Sequence, residues 1–214
     1  DDEGDAASAF FQAPPRSSTP GLLFDGAPAD WAGAIDLEEL CQTMLGLPVA
    51  DAEDEVREAL KKVGGEATDA DTLAVLLRVF RLARESAVEG YDGWDSPVEY
   101  CRRLSELCDK NFLGGGDSAR AQDFPANIVA SVYAECGRTL FLAGKTSQAR
   151  DRLEKALHVF SLVRPDGGAE TEIRQASACH ASMARVLRRL GQCARAQDEY
   201  LQALQALAET SDAS

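Results

Sequence analysis

The chain has 214 residues, 45% of them hydrophobic, with 36 acidic against 22 basic side chains and a formal net charge of −14. That length can bury a sizeable core, as one domain or two small ones. No apolar run approaches the ~20 residues needed to span a bilayer, and the acid excess argues against nucleic acid, whose phosphates need concentrated Lys and Arg.

Residues 1–34 are rich in Asp, Ala, Ser, Pro and Gly and show no helical period, which predicts an extended acidic, Pro-rich arm. Its isolated apolar clusters, Phe10-Phe11, Leu22-Leu23-Phe24 and Trp31, read as anchors for a groove, with Phe24 and Trp31 the candidate partner contacts. The charge is uneven: residues 1–60 hold 14 acidic and 2 basic side chains, whereas residues 120–195 hold 12 basic and 7 acidic. The later region therefore suits an acidic segment of a partner.

Residues 35–116 are expected to form N-terminal helices in degenerate hairpins. Asp36 opens a helix carrying Leu37, Leu40-Cys41 and Met44-Leu45, stopped by Gly46-Leu47-Pro48. A second is expected over Asp51–Val63, acidic in its first turn and ending in Lys61-Lys62. A third spans Asp69–Glu89. Ser96-Pro97-Val98-Glu99 then reads as a capping box, opening a helix that carries Val98, Cys101, Leu104, Cys108 and Phe112. Gly114-Gly115-Gly116 makes a break, and Pro125 starts the next helix.

Residues 117–209 contain one pattern twice. The first copy is Tyr133, Cys136-Gly137, Leu140, Gly144, Ala149, Leu153 and Ala156-Leu157; the second is His180, Met183-Ala184, Leu187, Gly191, Ala196, Tyr200 and Ala203-Leu204, 47 residues on. Each copy reads as two antiparallel helices. Gly144 and Gly191 end the first helix, Lys145–Gln148 form a turn, and small residues permit close approach. Residues 210–214 are expected to be a disordered tail.

These positions resemble the tetratricopeptide repeat: bulky, then hydrophobic-small, then aliphatic, a turn glycine, and Ala-aromatic-Ala down the second helix. Leu153 is the one aliphatic substitute. The period is longer than the usual ~34 residues. The extra residues fall between Ser161 and Ser177, which is similar to the extended repeats of kinesin light chains. The resemblance covers roughly residues 124–209 and implies an all-α superhelix, a right-handed stack of antiparallel hairpins. Its implied core is Tyr133, Gly137, Leu140, Gly144, Ala149, Ala156, Ala184, Leu187, Gly191, Ala196, Tyr200 and Ala203. It also implies a non-enzymatic scaffold or structural subunit whose partners are other protein subunits or peptides. The alternative it leaves is a reversible adaptor that reads an acidic segment through Arg138, Arg185 and Arg188. The chaperone-tail clamp of many such modules is largely missing, because Ala134, Arg138, Ala178 and Ser182 stand at its positions.

No catalytic residues, metal ligands or cofactor site are expected. Ala143-Gly144-Lys145-Thr146 lacks the earlier glycine of a phosphate loop, since residue 139 is Thr. His158 and His180 have no legible catalytic partners, and Glu170-Thr171-Glu172 and Asp198-Glu199 read as solvated faces. The six cysteines form no CxxC pair, which suits a reducing intracellular compartment. The chain starts at Asp1, for which removal of a mitochondrial or plastid presequence is one explanation and an engineered fragment another. A peripheral seat on a membrane complex stays open.

Overall fold

The computed structural model describes residues 37–62, 68–113, 124–163 and 170–211. The arm expected over residues 1–34, with Phe24 and Trp31, lies outside them. Residues Asp36–Ser214 make one compact unit. Its described residues are all-helical: α1 (Leu37–Leu45), α2 (Val49–Lys62), α3 (Asp69–Glu89), α4 (Asp95–Cys108), a π-helical turn (Asp109–Leu113), α5 (Ala126–Leu142), α6 (Thr146–Val163), α7 (Glu170–Arg189) and α8 (Cys193–Ser211).

Local chemistry sets the helix ends, in places differently from expectation. α2 begins at Val49, not Asp51, because Ala52 N–H already donates to the Pro48 carbonyl at 2.9 Å. The capping box expected at Ser96 does not form: α4 starts at Asp95 after Trp94, with no side-chain cap, and Glu99 pairs with Arg102 instead. The capping box belongs to α3, where the Asp71 amide donates to Thr68 Oγ1 at 3.1 Å and the Thr68 amide to Asp71 Oδ2 at 3.2 Å. Phe112 lies beyond α4, in the π-helical turn. The turn expected over Lys145–Gln148 is shorter, since Ala149 N–H closes on the Lys145 carbonyl at 2.9 Å and α6 starts at Thr146. The added length of the repeat is partly helical, as α6 runs to Val163 and α7 begins at Glu170. α8 continues to Ser211, two residues into the segment expected as a tail.

Three turns close alike. Gly90, Gly144 and Gly191 take φ of 80°, 78° and 77°, the left-handed region that only glycine enters without a Cβ penalty. In each, the glycine amide donates to the carbonyl three residues back (Ala87, Phe141, Arg188) and the next amide to the carbonyl one turn earlier (Ser86, Leu140, Leu187). The last bonds measure 3.1, 2.8 and 2.9 Å. These 6→1 bonds satisfy carbonyls that a helix end leaves without partners. α3 therefore ends in the same cap as α5 and α7, although its link to α4 is longer, Gly90–Trp94 against Ala143–Lys145 and Leu190–Gln192.

Elements adjacent in sequence are adjacent in space. α1 and α2 pack on α3, α3 on α4, α4 on α5, α5 on α6, α6 on α7 and α7 on α8, with α5 also touching α7. Small residues set the spacing. Seven residues before the three turn glycines stand Ala83, Gly137 and Ala184, all buried. At Gly137 a Cβ would sit 2.6 Å from Leu153 Cγ and 3.2 Å from the Ala149 carbonyl oxygen. Across the groove Ala149, Leu153 and Ala156 are fully buried, as are Tyr133 and Leu187. Tyr200, expected in the repeat core, is only half-buried.

Gly137→Ala gains about 1 kcal/mol of helix propensity but overpacks this contact, at a typical cost of ~1–3 kcal/mol. The expected result is a net loss of roughly 1 kcal/mol, read as a Tm lower by about 2–4 °C; a higher Tm would contradict the packing described. Gly90→Ala, Gly144→Ala and Gly191→Ala should each lose about 1 kcal/mol in urea denaturation, from left-handed strain alone, because nothing lies within 4 Å of the added Cβ at any of the three. A much larger loss at one turn would break their equivalence.

Candidate partner-binding face

Counting back six residues from each turn glycine gives Arg84, Arg138 and Arg185. The first helix of each hairpin (α3, α5, α7) therefore carries an arginine at the same register. Arg138 and Arg185 were expected here. Arg84 was missed because α3 lacks the rest of the repeat pattern, although Gly90 was the signal that could have found it.

Glu135 on α5 gathers the first two of these arginines. It is 6% exposed and accepts two hydrogen bonds from Arg81 of α3, Nη2 to Oε1 at 2.6 Å and Nε to Oε2 at 3.1 Å. Arg84 Nη1 lies 3.7 Å from Oε2 and stacks 5.9 Å from the Phe80 ring centroid. Burial alone would raise the Glu135 pKa; Arg81, with the charges of Arg138 and Arg84, outweighs it and holds the carboxyl below its usual range. Arg138 is half-buried. Burial pulls its guanidinium below the usual range, countered by Glu135, and it stays cationic. One carboxylate thus faces three guanidiniums.

Arg185 and Arg188 are exposed and form no ion pair among the described residues. Arg188 does not share the register of Arg138 and Arg185. The neighbouring Arg189 reaches back onto α5 instead, 5.5 Å from the Phe141 ring centroid.

Other polar clusters tie helices together. Lys155 of α6 holds Asp109 at 2.6 and 2.8 Å, and Tyr133 of α5 donates to the same Asp109 Oδ1 at 2.5 Å. Burial first, then Asp109, pushes the Tyr133 phenol up, so it remains a donor. Glu53 of α2 accepts from Arg103 of α4 at 2.7 Å and from Arg57 at 3.2 Å, and Arg57 bridges on to Asp69 of α3 at 2.8 Å. His180 Nδ1 lies 2.7 Å from Glu199 Oε2, joining α7 to α8. Glu199 is therefore half-buried in a tie, not part of the solvated face expected for Asp198-Glu199. His158 is exposed.

Burial pushes the Cys179 thiol up to about 12 and also raises Cys108. Cys101 rises as well, through its hydrogen bond at Cys136 and then burial, so these thiols stay protonated near neutrality. Among the described residues no three His, Cys, Asp or Glu side chains converge in a way that could hold a metal ion, and no helix is long and apolar enough to cross a membrane.

Replacing Glu135 with Gln removes the carboxylate on which Arg81 and Arg84 converge. Breaking a fully buried pair costs about 3–5 kcal/mol; half-exposed arginines reduce this to roughly 2 kcal/mol at pH 7. A carboxyl whose folded pKa is depressed contributes stability above the unfolded value near ~4.3 and loses it as pH falls through the folded pKa. The gap between the native chain and Glu135→Gln in urea midpoints should therefore narrow below about pH 4. A gap that is absent at pH 7, or unchanged at pH 3, would contradict this account of the cluster.

No protein-family profile, curated protein or solved structure matches the chain.

Proposed function

We propose that this protein is a non-enzymatic, tetratricopeptide-like scaffold that holds other protein subunits within a larger complex. The observation that carries the reading is the twofold recurrence of one closely packed hairpin, α5–α6 and α7–α8, and the threefold recurrence of its glycine cap and small residue at the ends of α3, α5 and α7. Arrays of this kind build extended surfaces from repeated helices and serve as binding platforms. The chain recovered from its native cells should co-elute with one or a few proteins in fixed stoichiometry through gel filtration. Recovery as a lone monomer would overturn the proposal.

The arginine register favours a second reading, reversible capture of an acidic peptide segment across α3, α5 and α7. Binding of a labelled Glu-rich peptide should then weaken strongly between about 0.05 and 0.3 M salt, as the Debye length shrinks. Arg185→Glu should reduce the affinity several-fold at low salt without changing Tm. Affinity indifferent to both salt and Arg185→Glu would eliminate this mode.

A further inference from the structure

The second repeat ends in a groove of about 440 Å³ between α7 and α8, on the side away from α5 and α6. Its lining includes Arg174, Ala178, Ala181, Tyr200, Ala203 and Leu204. Subtracting 47 from each number gives Asn127, Ser131, Ala134, Leu153, Ala156 and Leu157 of the first repeat. The groove is thus one repeated surface, met a second time.

In the first repeat that surface is largely covered, with Asn127, Ser131 and Leu157 half-buried and the other three buried. α7 lies across it: Cys179 Sγ donates to the Leu153 carbonyl at 3.8 Å, and Ser131 Oγ donates to Gln175 Oε1 at 3.1 Å. Under α7, Ala134 is 3% exposed, and Leu153 and Ala156 are fully buried. In the second repeat Ala178 is exposed, Ala181 and Tyr200 are half-buried and Leu204 is 63% exposed. Leu201, 56% exposed, replaces the solvated Glu154 and widens the apolar band. A helical face with leucine where its counterpart has glutamate is unusual for a surface left to water.

We propose that this groove docks an amphipathic α-helix of a partner protein, seated on α7–α8 as α7 is seated on α5–α6. The inference rests on the scaffold reading and names the class of partner it holds. The helix carries a small residue where it crosses Tyr200, as Cys179 does at Leu153, and apolar residues one turn away over Leu204. A second copy of this chain fits less well, because two-fold pairing sets the same groove against itself and fills neither.

The chain supplies its own probe. A labelled peptide of residues 170–189, the sequence of α7, should bind the intact full-length protein saturably in fluorescence anisotropy. Leu204→Arg and, separately, Ala178→Glu should each weaken binding at least tenfold. Both sites are exposed, so circular dichroism and Tm should stay native, and a scrambled peptide should not bind. Absence of saturable binding, or binding indifferent to both substitutions, overturns the proposal. So does a dimer in light scattering that Leu204→Arg dissociates, or a photo-crosslink from position 204 to the chain's own residues 1–36. If Leu204→Arg leaves native co-purification intact, this proposal fails while the scaffold reading stands. A lone monomer whose groove still binds the peptide would sink the scaffold reading instead.

Discussion

The architecture depends on how closely the two helices of each hairpin approach. At Gly137 the distance to Leu153 is too short for even a methyl group, and Ala83 and Ala184 hold the same place in the other two hairpins. Such contacts let two backbones interdigitate at close to crystalline packing density. The turn glycines then fix where each helix stops, so the two faces meet in register. With that pair of constraints in place, Leu140, Ala149, Leu153, Ala156 and their counterparts have one way to be buried together.

Charge does a different job. Ion clusters sit where one hairpin, or one segment, meets another: buried Glu135 with Arg81 between α3 and α5, half-buried Asp109 with Lys155 and Tyr133 between the π-helical turn, α5 and α6, and buried Glu53 with Arg103 between α2 and α4. Apolar packing is indifferent to small slides along a helix, whereas bidentate pairs are not. The clusters therefore pin the register between neighbours, and the price of desolvation is met by supplying each carboxylate with two or more donors.

Much of this was legible in the residues. The 47-residue recurrence names both C-terminal hairpins, their turn glycines and the fully buried Tyr133, Cys136, Ala149, Leu153 and Ala156, but not the equally buried Val129, Ala130, Val132 and Thr139. What was not legible has physical causes. Ser96-Pro97-Val98-Glu99 matches a capping box, yet Glu99 is drawn to Arg102, and α4 starts one residue earlier without a side-chain cap. Arg84 was hidden because Ser86 stands where Leu140 and Leu187 do, and Asp95, Glu99 and Arg102 stand where the first repeat has the buried Ala149, Leu153 and Ala156. Glu199 read as solvent-facing until His180, from the neighbouring helix, met it. Tyr200 read as core because it matches Leu153, which is fully buried with Cys179 of α7 donating to its carbonyl. Whether such a position is buried depends on a next helix, which a periodic pattern cannot announce.

A stack of nearest-neighbour hairpins differs from a single cooperative globule in how stability is distributed along it. Native-state hydrogen exchange on the purified full-length chain reads that distribution directly. The account predicts the slowest exchange in α5 and α6, which are packed on both sides, and progressively faster exchange through α7 to α8, whose outer face lies open. Protection in α8 equal to that in α5, amide for amide, would contradict it.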